Sequence, residues 1–160
     1  MSVKGVLLAG VAVIALALVL RQGVTNRPAP DFTLPDTFGR EVTLSEHRGN
    51  PVLLIFWTTW CGVCRHQMPV VDEIRSEYRS QGLQVLGVNL EDTAQARDYL
   101  VANRLYLRSA VDAQGTIAQQ YGVSGLPTMV LLDGDGKVRG VSAGYRDAGQ
   151  LRSALRRVGL

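Results

Sequence analysis

Only two cysteines occur in the 160 residues, Cys61 and Cys64. Two cannot staple a small secreted fold, so a disulfide-dense scaffold is excluded. No segment recurs at a fixed period, which excludes solenoids, propellers and collagen-like arrays. Acidic residues are missing from residues 1–30, where Lys4, Arg21 and Arg27 are the only charged groups. The net charge of +3 belongs to that arm: with those three set aside, 14 basic residues balance 14 acidic ones in residues 31–160. A neutral body lacks the electrostatic footprint of a nucleic-acid binder. Hydrophobic residues make up 46% of the chain and charged residues 19%. That is ordinary globular usage, so disorder of the whole chain is excluded. The length suits one domain with a short appendage.

The appendage is residues 1–21. Gly5 to Leu20 form an uncharged apolar run of 16 residues between Lys4 and Arg21. As a helix it spans about 24 Å, against the roughly 30 Å of a bilayer's hydrocarbon core. Snorkelling of Lys4 and Arg21 makes up the difference. The preferred reading is an uncleaved membrane anchor; a cleaved signal peptide and a buried core helix are the alternatives. Ala15-Leu16-Ala17 is a small-x-small site, but a cut there leaves Leu18-Val19-Leu20 on the mature end. No cysteine follows the run closely enough to carry a lipid. The flanking charges leave the orientation open. Residues 22–30 end in Pro28-Ala29-Pro30 and read as a short, partly stiff linker. A single domain over residues 31–160 follows, long enough for one core.

Within that domain, Asp31–Leu34 and Glu41–Leu44 alternate around Asp36–Gly39, a hairpin signal. Val52–Trp57 is a continuous apolar run, as expected of a strand buried on both faces. Met68, Val71, Ile74 and Tyr78 recur at helical spacing. Leu83–Leu90 reads as a second buried strand. Residues 93–104 read as a helix with Thr93 as its N-cap. Residues 111–121 hold a short helix after a brief strand. Met129–Leu132 is an apolar strand, Asp133–Gly136 a turn, Val138–Ala143 its partner strand, and residues 147–159 an amphipathic helix. Strand–helix alternation closed by a hairpin predicts an α/β fold: a mixed central sheet with helices on both faces, an N-terminal β-hairpin extension and an N-terminal hydrophobic helix.

The two cysteines fall where a buried strand hands over to a helix. If the helix begins at Cys61, its first turn brings the Cys64 sulfur near the Cys61 sulfur, within reach of a disulfide. Unpaired N–H groups and the positive dipole end favour a thiolate there. Thiol pKa values in such motifs fall to roughly 3.5–7.5. Cys61 is then the attacking nucleophile and Cys64, more buried, resolves the mixed disulfide. A structural disulfide gains little from so small a loop. A zinc site would have only His47 and His66 to add, and no second cysteine pair.

Phe56-Trp-Thr-Thr-Trp-Cys-Gly-Val-Cys-Arg-His-Gln-Met-Pro69 resembles the active-site segment of thioredoxin-fold proteins. Ala29–Leu34 and Tyr121-Gly-Val-Ser-Gly-Leu-Pro-Thr128 resemble the opening hairpin and the cis-proline loop. With the N-terminal anchor, the pattern is similar to the TlpA/ResA family of membrane-anchored thiol–disulfide oxidoreductases. The resemblance covers residues 29–160. It implies that Trp60 flanks the nucleophile on the docking surface, and that Pro69 kinks the active-site helix. It also implies that Pro127 is a cis-proline facing the dithiol, and that Leu126 offers its backbone to an extended substrate. From local sequence alone, Pro127 reads as an ordinary loop proline before a strand, since only roughly 5–6% of X–Pro bonds are cis; the resemblance reverses that reading. Classical thioredoxins carry a buried aspartate six residues before the first cysteine, where this chain has Ile55. Glu91 and Asp92 are substitutes for proton transfer, or else a solvated strand end and helix cap. His66 is a weaker substitute, on a helix face expected to be exposed.

The stretch from Ala29 to Trp57 also looks like the opening of peroxiredoxins. Those need a threonine and a proline three and seven residues before the reactive cysteine; Thr58 fits and Leu54 does not. A copper chaperone would space its cysteines by three residues and add a distal histidine. The resulting expectation is an extracytoplasmic thiol–disulfide oxidoreductase on the bacterial cytoplasmic membrane, with its domain in the periplasm or outside the cell. It would reduce disulfides in exported proteins, with apocytochrome c as one candidate client. A protein-disulfide oxidase or isomerase using the same cysteines is the runner-up. No cofactor beyond the Cys61–Cys64 disulfide and no metal is implied. The expected partners are protein thiols and disulfides, the membrane through residues 5–20, and a membrane electron donor. No nucleic acid is expected, and the domain is expected to act as a monomer.

Overall fold

The computed structural model describes residues 26–160. The expected N-terminal helix, anchor or signal peptide, lies outside the described residues. No helix among the described residues is long and apolar enough to cross a membrane.

The chain opens with the expected hairpin, β1 (Thr33–Pro35) against β2 (Glu41–Thr43), antiparallel with Thr33 opposite Thr43. A 3-10 turn over Leu44–His47 leads into β3 (Val52–Trp57) and then α1 (Gly62–Tyr78). β4 (Gln84–Asn89), α2 (Thr93–Ala102), β5 (Arg108–Val111) and α3 (Thr116–Gln120) follow. β6 (Thr128–Leu132), β7 (Val138–Ala143) and α4 (Ala148–Leu155) complete the order, with a 3-10 turn at Arg156–Val158. The main sheet runs β5-β4-β3-β6-β7. β3, β4 and β5 are parallel; β6 and β7 are antiparallel to their neighbours.

β3 lies at the centre, and all six of its residues are buried. Alternation along a strand divides them between two faces. Leu53, Ile55 and Trp57 join Met68, Val71 and Ile74 of α1, Leu100 of α2 and Leu151 and Leu155 of α4 in one apolar cluster. Val52, Leu54 and Phe56 join Phe32 and Val42 of the hairpin and Ile117 and Ala118 of α3 in the other. Phe56 meets the Tyr121 ring at 5.3 Å between centroids.

Three local features depart from the sequence reading. Asp92, not Thr93, is the N-cap of α2: its backbone is extended and its carboxylate accepts from the N–H groups of Ala94 and Gln95. A carboxylate in that extended position reaches the second and third helical N–H groups, which places Thr93 inside the first turn. α2 also stops at Ala102, two residues short of expectation. Arg27–Ala29, placed in the linker, pair with the start of β7: Ala29 N–H donates to the Gly136 carbonyl and Val138 N–H to the Arg27 carbonyl. Tyr121 fastens the following residue, its hydroxyl donating to the Pro30 carbonyl at 2.7 Å.

Candidate active site

Cys61 stands at the carboxyl end of β3 and is the N-cap of α1. Its backbone is extended, and its sulfur accepts the Cys64 N–H at 3.1 Å. The two cysteines form a disulfide with their Cα atoms 5.2 Å apart. One turn of helix achieves this because residues three apart share a face. Exposure differs across the pair: Cys61 is 9% exposed and Cys64 is 0% exposed. Both touch the cluster that contains Ile55, Met68 and Met129. Ile55 is fully buried there, so an apolar side chain occupies the place of a thioredoxin's buried acid.

Two apolar side chains next to the cysteines in sequence are exposed: Trp60, at 72%, and Val63. Leu126 is half-buried and packs against the cluster that holds both cysteines. The Leu126–Pro127 peptide is cis, and Pro127 itself is buried. Thr128 closes this loop, its hydroxyl donating to the Gly125 carbonyl at 2.7 Å.

Glu91 and Asp92 are adjacent in sequence and differ in employment. Glu91 turns back to the loop between β3 and Cys61. Its carboxylate accepts the Thr59 N–H, and the Thr59 hydroxyl at 2.7 Å. Asn89 braces it, donating from its side chain at 3.3 Å and accepting the Glu91 N–H at 2.8 Å. Asp92 is exposed and spends its carboxylate on the α2 cap. His66 lies on the exposed face of α1. His47 is half-buried in the 3-10 turn before β3. Burial, aided by the Arg108 charge, holds the His47 pKa below its usual value against the opposing pull of Glu46 and Gln84. Among the described residues, no three His, Cys, Asp or Glu side chains gather as metal ligands.

Two polar side chains beside the site escaped the sequence reading. Gln67, three residues beyond Cys64, is fully buried and bonds the Arg146 backbone at both ends of its amide. A buried polar residue within an apolar helical stripe is visible in sequence only as an interruption between Cys64 and Met68. Thr58, read only as a peroxiredoxin-like position, is buried with no hydrogen-bond partner for its hydroxyl.

The model of the AhpC/TSA family matches residues 25–141. The chain belongs to that family. Within the AhpC/TSA family, its similarity is to thiol–disulfide oxidoreductases. The ResA protein of Geobacillus thermodenitrificans is 38% identical over 117 residues, covering 72% of this chain and 67% of the relative. The ResA protein of Bacillus thuringiensis is 32% identical over 134 residues, covering 83% and 78%. A Chlorobium tepidum structure assigned as the thiol:disulfide interchange protein DsbE superposes with a TM-score of 0.79 at 37% identity. That match covers 84% of this chain and 98% of the other. The fold is thus thioredoxin-like, and with its Cys-x-x-Cys disulfide the chain is a thiol–disulfide oxidoreductase.

Proposed function

We propose that this oxidoreductase works outside the cytoplasm, held to the membrane by residues 5–20, and reduces disulfides in exported proteins. Apocytochrome c is one candidate client. The observation that carries the reading is the asymmetry of the pair at the helix N-terminus. Cys61 keeps a small exposed area, 9%, at the helix N-terminus, where its sulfur accepts the Cys64 N–H and the helix end favours a thiolate, and Cys64 has none. In the reduced enzyme, the Cys61 thiolate attacks one sulfur of a client disulfide and expels the other as a thiolate. Cys64, deprotonated, then attacks Cys61 in the mixed disulfide, releasing the reduced client and leaving the Cys61–Cys64 disulfide. Trp60 supplies apolar contact, and the backbone at Leu126 and Pro127 holds the client as an added strand. Glu91 takes or returns the proton. Two electrons from a membrane donor regenerate the dithiol. The same surface serves a monomer, and no cofactor beyond the disulfide takes part.

The reduction potential of the couple tests the direction. Equilibration of the full chain with glutathione or dithiothreitol buffers should give a value well below the roughly −180 to −210 mV of oxidising compartments. Cys61→Ala, the inactive control, should show no exchange. A potential near roughly −120 mV marks an oxidant and reverses the proposed direction.

A further inference from the structure

The loop between β7 and α4, residues 144–147, is fastened at two places. At one end the Gly144 N–H donates to the Pro127 carbonyl at 2.8 Å. At the other, Gln67 grips Arg146: its Nε2 donates to the Arg146 carbonyl at 3.0 Å, and its Oε1 accepts the Arg146 N–H at 2.6 Å. Gln67 is 0% exposed and sits one helical turn beyond Cys64 on α1. The path from the dithiol to the Pro127 loop therefore runs through two backbone clamps and one side chain. Tyr145, half in solvent, rides on the same loop.

A buried amide is costly unless both its donor and its acceptor are paired, and a leucine or methionine would fill such a position more cheaply. What the amide adds is register. It presents one donor and one acceptor on a single plane, which fixes one residue's N–H and C=O at once. We propose that Gln67 is a positioning residue that sets the Pro127 loop and Tyr145 against the Cys61–Cys64 pair, and so governs how tightly a protein client is held for exchange. This rests on the reading above that Leu126 and Pro127 hold the client backbone.

The test uses the full chain with Gln67→Glu and Gln67→Leu, and insulin as the protein disulfide, with dithiothreitol as recycling donor. A glutamate at this position can copy the amide only while protonated, when its O–H donates and its C=O accepts. Ionised, it sets a carboxylate against the Arg146 carbonyl. KM for insulin in Gln67→Glu, taken as a ratio to the wild type at each pH, should be roughly tenfold at about pH 8 and fall toward one at about pH 5. Taking the ratio cancels the thiolate's own titration. Gln67→Leu should raise KM at both pH values. Single-turnover reduction of the Cys61–Cys64 disulfide by dithiothreitol, which does not use the client cradle, should stay within about twofold of the wild type in both variants. A Gln67→Glu ratio that does not change with pH, or an unchanged KM, overturns the proposal. Pro127→Ala separates the two layers. Unchanged KM in that variant defeats the cradle reading and with it this inference. Raised KM there, with no effect at Gln67, defeats this inference alone.

Discussion

At the scale of single residues, the site is shaped by which polar atoms are paired. Glu91 satisfies Thr59, and Gln67 satisfies Arg146. The Thr58 hydroxyl is buried three residues before Cys61 and satisfies nothing. An unpaired buried hydroxyl costs roughly 1–3 kcal/mol, and removing it with a group of the same shape is nearly neutral or stabilising. Thr58→Val, isosteric apart from the oxygen, should therefore leave stability unchanged or raise it by about 1 kcal/mol in urea unfolding. The rate of insulin reduction should be unaffected. A variant that is as stable but slower would give the hydroxyl a chemical part that the oxidised structure does not display.

At the scale of elements, the strand and helix order was legible because the hydrophobic pattern is strong. Val52–Trp57 is apolar without a break and lies buried on both faces at the centre of the sheet. Met68, Val71 and Ile74 all face the core, as their spacing requires. The Cys-x-x-Cys pair was legible for the same reason: a strand-to-helix junction has one geometry. What escaped were choices made by hydrogen bonds between distant segments. Nothing local distinguishes Glu91, which reaches across to Thr59, from Asp92, which caps its own helix. Nor does local sequence show that Arg27–Ala29 would pair with the start of β7. The β4–α2 junction offers a test of this division of labour. Asp92→Asn keeps a good capping residue, so stability and the Cys61 titration should stay put. Glu91→Gln keeps an acceptor for the Thr59 N–H but removes the charge that strengthens the bonds from Thr59 and Asn89, and should cost about 1–3 kcal/mol. If Glu91 also handles the proton, ultraviolet thiolate absorbance will show the Cys61 titration shifted in Glu91→Gln alone. An unchanged titration in both variants ends the proton-transfer role.

At the scale of the whole molecule, two aspartates hold the turns of the two hairpins, one of them also tying its hairpin to the main sheet, and both link stability to pH. Asp36, at the β1–β2 turn, is buried and accepts from the N–H groups of Phe38 and Arg40. It also accepts from Arg108 at 2.9 Å, which joins the hairpin to β5. Asp133, at the β6–β7 turn, accepts from the Asp135 and Lys137 N–H groups and pairs with Arg139. Burial alone would raise both pKa values. The turn N–H groups and the arginines outweigh it and hold both carboxyls below their usual range. A carboxyl with a lowered folded pKa contributes fully above its unfolded value, about 3.9, and loses that contribution as the pH falls through the folded one. His47 is shifted down as well, so its neutral form is favoured in the fold. Its contribution is present above the unfolded value of about 6.5 and lost as the pH falls through its folded value. Urea unfolding across a pH series should therefore show stability falling in two stages, a shallow one below about pH 6.5 and a steeper one below about pH 4. Asp36→Asn should cost roughly 2–3 kcal/mol near neutrality, because charge-assisted hydrogen bonds are lost and the Arg108 link is weakened. The gap to the wild type should narrow through the second stage, where the wild-type carboxyl protonates too. A gap as wide at about pH 3 as at about pH 7 would remove Asp36 as the source of that stage, and leave the hairpin held by its apolar face on Phe56 and Val52 instead.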